Sequence, residues 1–352
     1  MKNPALVGSF VLVSWLASVS PVPPSEPAQR ATSQSAGVTA AVAAAADAFL
    51  ATLTPADRAK CVFRFDDAAQ KARWSNLPSG IFQRAGLRLG DMSAVQKDAA
   101  LKTLAAALSR DGYRKITDIM NGDEVLKGNG RGGPGRGPGG GGGVVFGLAE
   151  YYIAFLGAPS VAAPWMIQFG GHHLAINITM VGRESVMTPS LPGAQPATYT
   201  LNGETVRPLG RENDAAFQLV NALDAAQRKQ AVLNYQVNDL VLGAGQDGKT
   251  IQPEGILASA LTPAQQTMLL DLIHEWVGIL NDEAAVGRMA ELKDNLPKTY
   301  FAWSGPLTNG SAAYFRIQGP TLVIEYAPQR DVTHIHTIYR DPTNDYGAKL
   351  VK

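Results

Sequence analysis

Four of the five histidines in this 352-residue chain fall into two short motifs. The first is Thr333-His334-Ile335-His336-Thr337. In a strand, a spacing of two places both imidazoles on one face, a common way to offer two nitrogens to one metal ion. The second is Gln168-Phe169-Gly170-Gly171-His172-His173-Leu174-Ala175-Ile176-Asn177. Read as a strand from His172 to Val181, it points His172 and His173 to opposite faces. His173 then shares its face with Asn177 and Thr179, and His172 shares its face with Leu174 and Ile176. One histidine of the pair is therefore expected to join His334 and His336. Glu325 lies on the preceding strand, within Val323-Ile324-Glu325-Tyr326. The residues between, Ala327 to Asp331, have hairpin length, so register is expected to bring Glu325 beside His334 or His336. Three protein ligands and an open position suit zinc or another divalent transition metal, and such an ion makes water a nucleophile at neutral pH.

These residues define an expected site. His334, His336 and one of His172 or His173 are metal ligands, and Glu325 is a ligand or general base. Arg340 extends the face of His334 and His336 and is placed to meet an anionic group. Trp165, Gln168, Asn177 and Asp345 are candidate contacts to a small-molecule ligand. The chemistry expected is metal-assisted hydrolysis of a small polar or anionic substrate. The same letters also fit a metal-free polar pocket, serving either an acid/base enzyme or a solute-binding protein. His274-Glu275 lacks the partner of a His-Glu-x-x-His motif, so His274 reads as structural. No Gly-x-Ser-x-Gly elbow is present, and no phosphate loop with Lys-Ser/Thr occurs.

Composition narrows the classes further. A net charge of +1 leaves no electrostatic footprint for nucleic acid or an anionic membrane. The single cysteine, Cys61, allows no internal disulfide and reads as a buried, inert thiol. At the N-terminus, Lys2 precedes the apolar run Ala5 to Val19, and Ala17-Ser18-Val19-Ser20 offers small residues for a peptidase. This pattern predicts a signal peptide over residues 1–20 and a periplasmic or secreted protein with no stable membrane anchor after cleavage. Residues 21–36 read as a flexible leader, and 37–352 as one globular domain. Residues 128–143, mostly glycine, have no apolar side chains to offset the entropy of ordering and are expected to be a disordered insertion.

Positioning the site falls to mixed elements. Helices are expected over Gly37–Leu53, from Thr54-Pro55, over Ser93–Leu108, Tyr113–Leu126, Asp214–Leu233 and Pro263–Leu292. Strands are expected over Val144–Phe155, Trp165–Phe169, His172–Val181, and around the turn Asn202-Gly203. Four more fall at Thr299–Ser304, Ala312–Ile317, Thr321–Tyr326 and Val332–Tyr339. Helices and strands come in blocks, which predicts an α+β fold with a largely antiparallel sheet flanked by helices.

A family pattern also stands in these residues. It runs through Trp74-Ser75-Asn76-Leu77-Pro78, Arg84-Ala85-Gly86-Leu87 and Gly171-His172-His173-Leu174 with Asn177. It continues through Pro189-x-x-Pro192-Gly193-Ala194-x-Pro196 to His334-x-His336, Arg340-Asp341 and Asp345-Tyr346-Gly347. The chain resembles the bacterial and fungal domain of unknown function 3500 family over most of its length. Trp165-Met166-Ile167-Gln168 stands where Trp-Gly-x-Gln is usual. The resemblance implies a single domain and carries no activity with it.

Overall fold

The computed structural model describes residue 1, residues 27–128 and residues 143–351. The expected signal peptide, apart from Met1, and nearly all of the glycine-rich insertion lie outside them. The expected leader is helical from Pro27 onward, as the start of α1 (Pro27–Ala51). In α1, Val42, Ala46, Phe49 and Leu50 are buried at helical spacing. They face α4 (Ala94–Ala107), where Ala100, Leu104 and Ala107 form the matching stripe. The small alanines allow close approach, and the Thr103 hydroxyl donates to the Ala45 carbonyl at 3.2 Å. Between them stand α2 (Pro55–Cys61), started by Thr54 as N-cap, and the single turn α3 (Ala68–Lys71). Ser93 and Gln96 start α4 with a capping box, and α5 (Arg110–Gly128) follows.

Seven strands form the first sheet: β1 (Val62–Phe63), β2 (Leu87–Arg88), β3 (Tyr152–Leu156), β4 (Trp165–Gly171), β5 (Leu174–Val181), β6 (Glu184–Val186) and β7 (Leu191–Pro192). Its path is β1-β3-β4-β5-β6, with β2 on β3 and β7 on β5, and only the β1–β3 pair is parallel. Strand β5 is buried on both faces from Leu174 to Met180. A small hairpin, β8 (Tyr199–Leu201) and β9 (Glu204–Val206), turns at Asn202-Gly203, both at positive φ. The second sheet is antiparallel in the order β10 (Ile256–Leu257), β11 (Tyr300–Ser304), β12 (Tyr314–Gly319), β13 (Leu322–Pro328), β14 (Ile335–Arg340). The fold is a single-domain α+β structure whose sheets are mostly antiparallel.

Three expected elements differ, each for a local reason. The strand expected from Val144 begins only at Tyr152; Gly147 turns at φ +112 and Glu150 tucks in to pair with Arg88 at 2.6 Å. The helix expected over Asp214–Leu233 is two, α6 (Gly210–Ala222) and α7 (Ala225–Ala231), because Asp224 and Gln227 start a second helix with their own capping box. The helix expected over Pro263–Leu292 breaks into α8 (Pro263–Val277) and α9 (Asp282–Asp294). Residues 278–281 between them pack into the α4–α5 junction, where Gly112 leaves no room for a Cβ beside the Ile279 backbone.

The two sheets meet at residues 190–194. Pro192 and Leu191 pair with Leu174 and Ala175 of β5. On the other side, Ser190 and Tyr339 exchange backbone hydrogen bonds at 2.8 and 2.9 Å, and Ala194 and Ile335 do so at 2.8 Å each way. One short segment is thus shared between β5 and β14. Thr337 reinforces the joint, donating its hydroxyl to the Pro192 carbonyl at 2.6 Å and accepting the Trp276 indole N–H at 3.1 Å.

Candidate metal centre

The β4–β5 ladder runs to the pair Gly171–Leu174, which leaves His172 and His173 as the two residues of the hairpin turn. They are not consecutive strand residues on opposite faces, as the sequence suggested. His173 has φ +55, a left-handed conformation unusual outside glycine. Its backbone is fixed from two sides: its N–H donates to the Asn76 carbonyl at 3.1 Å, and its carbonyl accepts from Gly193 N–H at 2.7 Å. In the turn the two imidazoles lie edge to face with centroids 3.9 Å apart.

His336 sits opposite Ala327 in β14, and His334 lies just ahead of that strand. Their rings are 4.8 Å apart, and the joint at residues 190–194 brings the His173 ring within 4.5 Å of His334 and 5.0 Å of His336. The three side chains converge so that their ligand atoms all lie within 4.8 Å of one another. His334 Nε2 is 2.6 Å from His173 Nε2 and 3.0 Å from His336 Nε2.

Protons cannot satisfy this triangle. Each imidazole nitrogen has one in-plane site, holding either a proton or a lone pair. On His336 the Nδ1–H donates to Asp239 Oδ1 at 2.9 Å, and Nε2 accepts from the Asn76 amide at 3.1 Å. His336 Nε2 therefore carries a lone pair, held by the Asn76 amide. His334 Nε2 cannot at once donate to His336 and accept from His173. A cation at the centre would use all three lone pairs. A tetrahedral ion about 2.0–2.1 Å from each nitrogen holds them roughly 3.3 Å apart, so the two short contacts to His334 Nε2 would each open by less than about 1 Å.

Electrostatics keep the His173 and His334 rings neutral. Burial first, then the neighbouring histidines, holds His173 well below the usual imidazole range. Burial and the adjacent His336 and His172 bring His334 down to about 4. His173 and His336 are buried, while His334 is only partly covered and marks the solvent side. For Asp239, burial works to raise the carboxyl, and the bond from His336 outweighs it, leaving it below its ordinary value.

His172 is not one of the convergent group. Its Nδ1 lies 2.6 Å from Asp123 Oδ1, its ring packs on Phe146 at 4.7 Å, and the other Asp123 oxygen accepts from Gly147 N–H at 2.9 Å. Burial leads in lowering His172, against the pull of Asp123. Arg84 closes the layer beneath: its Nη2 donates to the carbonyls of Ser75, Leu77 and Gly171 at 2.7, 2.6 and 2.6 Å. Burial pushes this guanidinium down to about 10.

Other expected site residues lie elsewhere. Glu325 pairs with Ile338 rather than with either histidine. Its carboxylate accepts from the backbone N–H groups of Val241 and Leu242 at 2.9 and 2.7 Å and from the Tyr314 hydroxyl at 2.7 Å. It anchors the segment that carries Asp239 and is not among the three side chains that converge. Arg340 does share the His336 face, but Ile338 stands between, and its terminal nitrogens are taken by Asp247 at 2.7 Å and Asp345 at 2.9 Å. Asp345 is thereby an ion-pair partner. Trp165 is fully buried, with its indole N–H on the Ser160 carbonyl at 2.9 Å. Gln168 and Asn177 bond each other at 3.0 Å inside the sheet, and Asn177 continues to the Pro189 carbonyl. None of these four faces the histidine triangle.

Three residues that hydrogen-bond to histidine side chains, Asn76 and Asp239 on His336 and Asp123 on His172, were not among the sequence candidates. Asp123 was legible: Ile116, Ile119, Met120 and Leu126 line the buried face of α5, and a carboxylate at position 123 falls on that stripe. Asn76 stood within the Trp74–Pro78 motif without a reason to prefer it. Asp239 lies in an irregular stretch whose letters carry no period.

Residues 35–348 match the family model described as protein of unknown function (DUF3500). No curated protein and no solved structure matches the chain.

Proposed function

We propose that this chain, which belongs to the DUF3500 family of proteins of unknown function, binds one divalent transition metal ion such as zinc through His173, His334 and His336. We read it as a metal-assisted hydrolase of a small polar or anionic substrate. The observation that carries the metal reading is the nitrogen triangle, with His334 Nε2 at 2.6 and 3.0 Å from two others and a single in-plane site that cannot make a full hydrogen bond to both.

Three further features support it. Asp239 on His336 Nδ1 is the carboxylate–histidine arrangement that fixes a ligand's tautomer and raises its basicity. Three neutral ligands leave an ion its full positive charge and an open position, which lowers the pKa of bound water toward 7. We read that position as lying on the His334 side, the partly exposed edge of the triangle. The reading includes export: Lys2 and the apolar run Ala5–Val19 support a cleaved signal peptide and a periplasmic or secreted site.

Elemental analysis of the mature protein, purified without chelator, tests this beside a His334→Ala/His336→Ala variant. The expected result is about one equivalent of a transition metal in the wild type and none in the variant. A panel of simple esters, amides and phosphoesters, assayed with and without the ion, then tests the hydrolase reading. An ion-free wild type that takes up none on titration ends the metal reading.

A further inference from the structure

Asn76 contributes an unusual contact, since its amide nitrogen donates to His336 Nε2 at 3.1 Å. That nitrogen has one lone pair, and an ion at the centre of the triangle takes it. The amide then loses its acceptor, while its backbone stays fixed on both flanks. Arg84 Nη2 clamps the carbonyls of Ser75 and Leu77, the two residues flanking it. The Asn76 carbonyl accepts from His173 N–H, and Leu77 N–H donates to the Ser75 hydroxyl at 3.2 Å. Asn76 itself is only partly covered. Its N–H donors are thereby freed next to the ion's ligand His336. A donor left unmet there carries a desolvation cost, and an acceptor oxygen relieves it.

Resting on the metal reading above, we infer that Asn76 is the ligand-orienting residue of the site, donating a hydrogen bond to an oxygen of the molecule that takes the open position. The chemical class this selects is a carboxylate or carbonyl compound, with one oxygen on the ion and an acceptor lone pair toward Asn76. Arg84 is a positioning residue, acting only by holding the 75–77 backbone.

The test uses the full mature chain loaded with cobalt(II), whose visible absorption reports both loading and the arrival of a new ligand. Acetate is titrated as the oxygen probe and imidazole as a nitrogen probe that offers Asn76 no acceptor once bound. In Asn76→Ala, cobalt affinity is expected to stay within about threefold of wild type. Acetate binding should weaken about tenfold or more, the loss of a hydrogen bond to a charged group, while imidazole binding is unchanged. Asn76→Asp, nearly the same shape, should lose acetate as strongly and guards against a folding defect in the alanine variant. Equal acetate affinity in wild type and variants overturns the inference while leaving the metal reading intact. So does a parallel fall for acetate and imidazole. Loss of cobalt from Asn76→Ala as complete as from His336→Ala would make Asn76 an ion ligand instead. Failure of the wild type to take up cobalt overturns the metal reading and this inference with it.

Discussion

Replacing Asp239 separates a ligand's support from the ligand itself. Its Oδ1 accepts the His336 Nδ1–H at 2.9 Å, and the same side chain takes the Leu240 N–H at 2.7 Å and the Gln329 amide at 2.8 Å. Asn in its place keeps the shape and an acceptor oxygen but loses the charge. A hydrogen bond to a charged partner contributes about 1.5–3 kcal/mol, against about 0.5–1.5 for a neutral one. The Asp239 side chain is 55% exposed, so solvent screens part of that difference and the low end applies. Asp239→Asn is therefore expected to cost about 1 kcal/mol, a five- to tenfold weaker zinc Kd. Asp239→Ala also frees the ring to choose the other tautomer and should weaken zinc about 10- to 100-fold. Competition against a chromophoric chelator at fixed pH measures both, with His336→Ala as the complete-loss control. Zinc binding by Asp239→Ala within about twofold of wild type would refute the reasoning. A larger loss from Asp239→Asn than from Asp239→Ala would refute it too.

Other outcomes follow from the same geometry. A Cβ at Gly193 would sit 2.8 Å from the Ile335 carbonyl and 3.2 Å from the His173 ring, so Gly193→Ala should cost about 1–3 kcal/mol and weaken zinc as well. Gly287→Ala, in the open on α9, should leave Tm and zinc affinity unchanged or slightly improved; thermal melts of both variants check this. For the ion-free protein, His334 near 4 and His173 well below 6.5 mean that the unfolded chain binds more protons over that range. Their contribution is present above about pH 6.5 and lost as pH falls toward 4. The Tm of the ion-free protein should drop between pH 7 and 5, and His334→Gln should flatten that slope. Cys61 is buried, with its thiol pushed up to about 11 chiefly by burial, so a thiol reagent at pH 8 should label it only in denaturant; rapid labelling of the native protein would contradict its burial.

The sequence displayed the helix starts because capping chemistry is local: Thr54, Ser93 and Thr262 each announce a helix within four residues. The break at Ala222 stood in the sequence as the capping box Asp224-x-x-Gln227, whereas the break at Val277 was hidden because it answers to packing against Gly112. For the site, the spacing of His334 and His336 was readable because strand periodicity fixes it. The placement of His173 was not. A two-residue turn at His172-His173 lacks the glycine or asparagine that marks such turns, and His173 takes its left-handed φ under bonds from Asn76 and Gly193, each distant in sequence. The register that carried Glu325 past both histidines was equally invisible. A two-residue shift along β13 and β14 would set Glu325 opposite His336, and the hairpin loop length alone does not fix that register.

Whether the three imidazoles share one ion is read from anomalous scattering. Crystals grown with zinc and measured on both sides of the zinc absorption edge should show one strong anomalous peak about 2.0–2.1 Å from Nε2 of His173, His334 and His336, absent in crystals of the His334→Ala/His336→Ala variant. No peak there, or a peak on other side chains while the triangle stays unchanged, would contradict a shared ion.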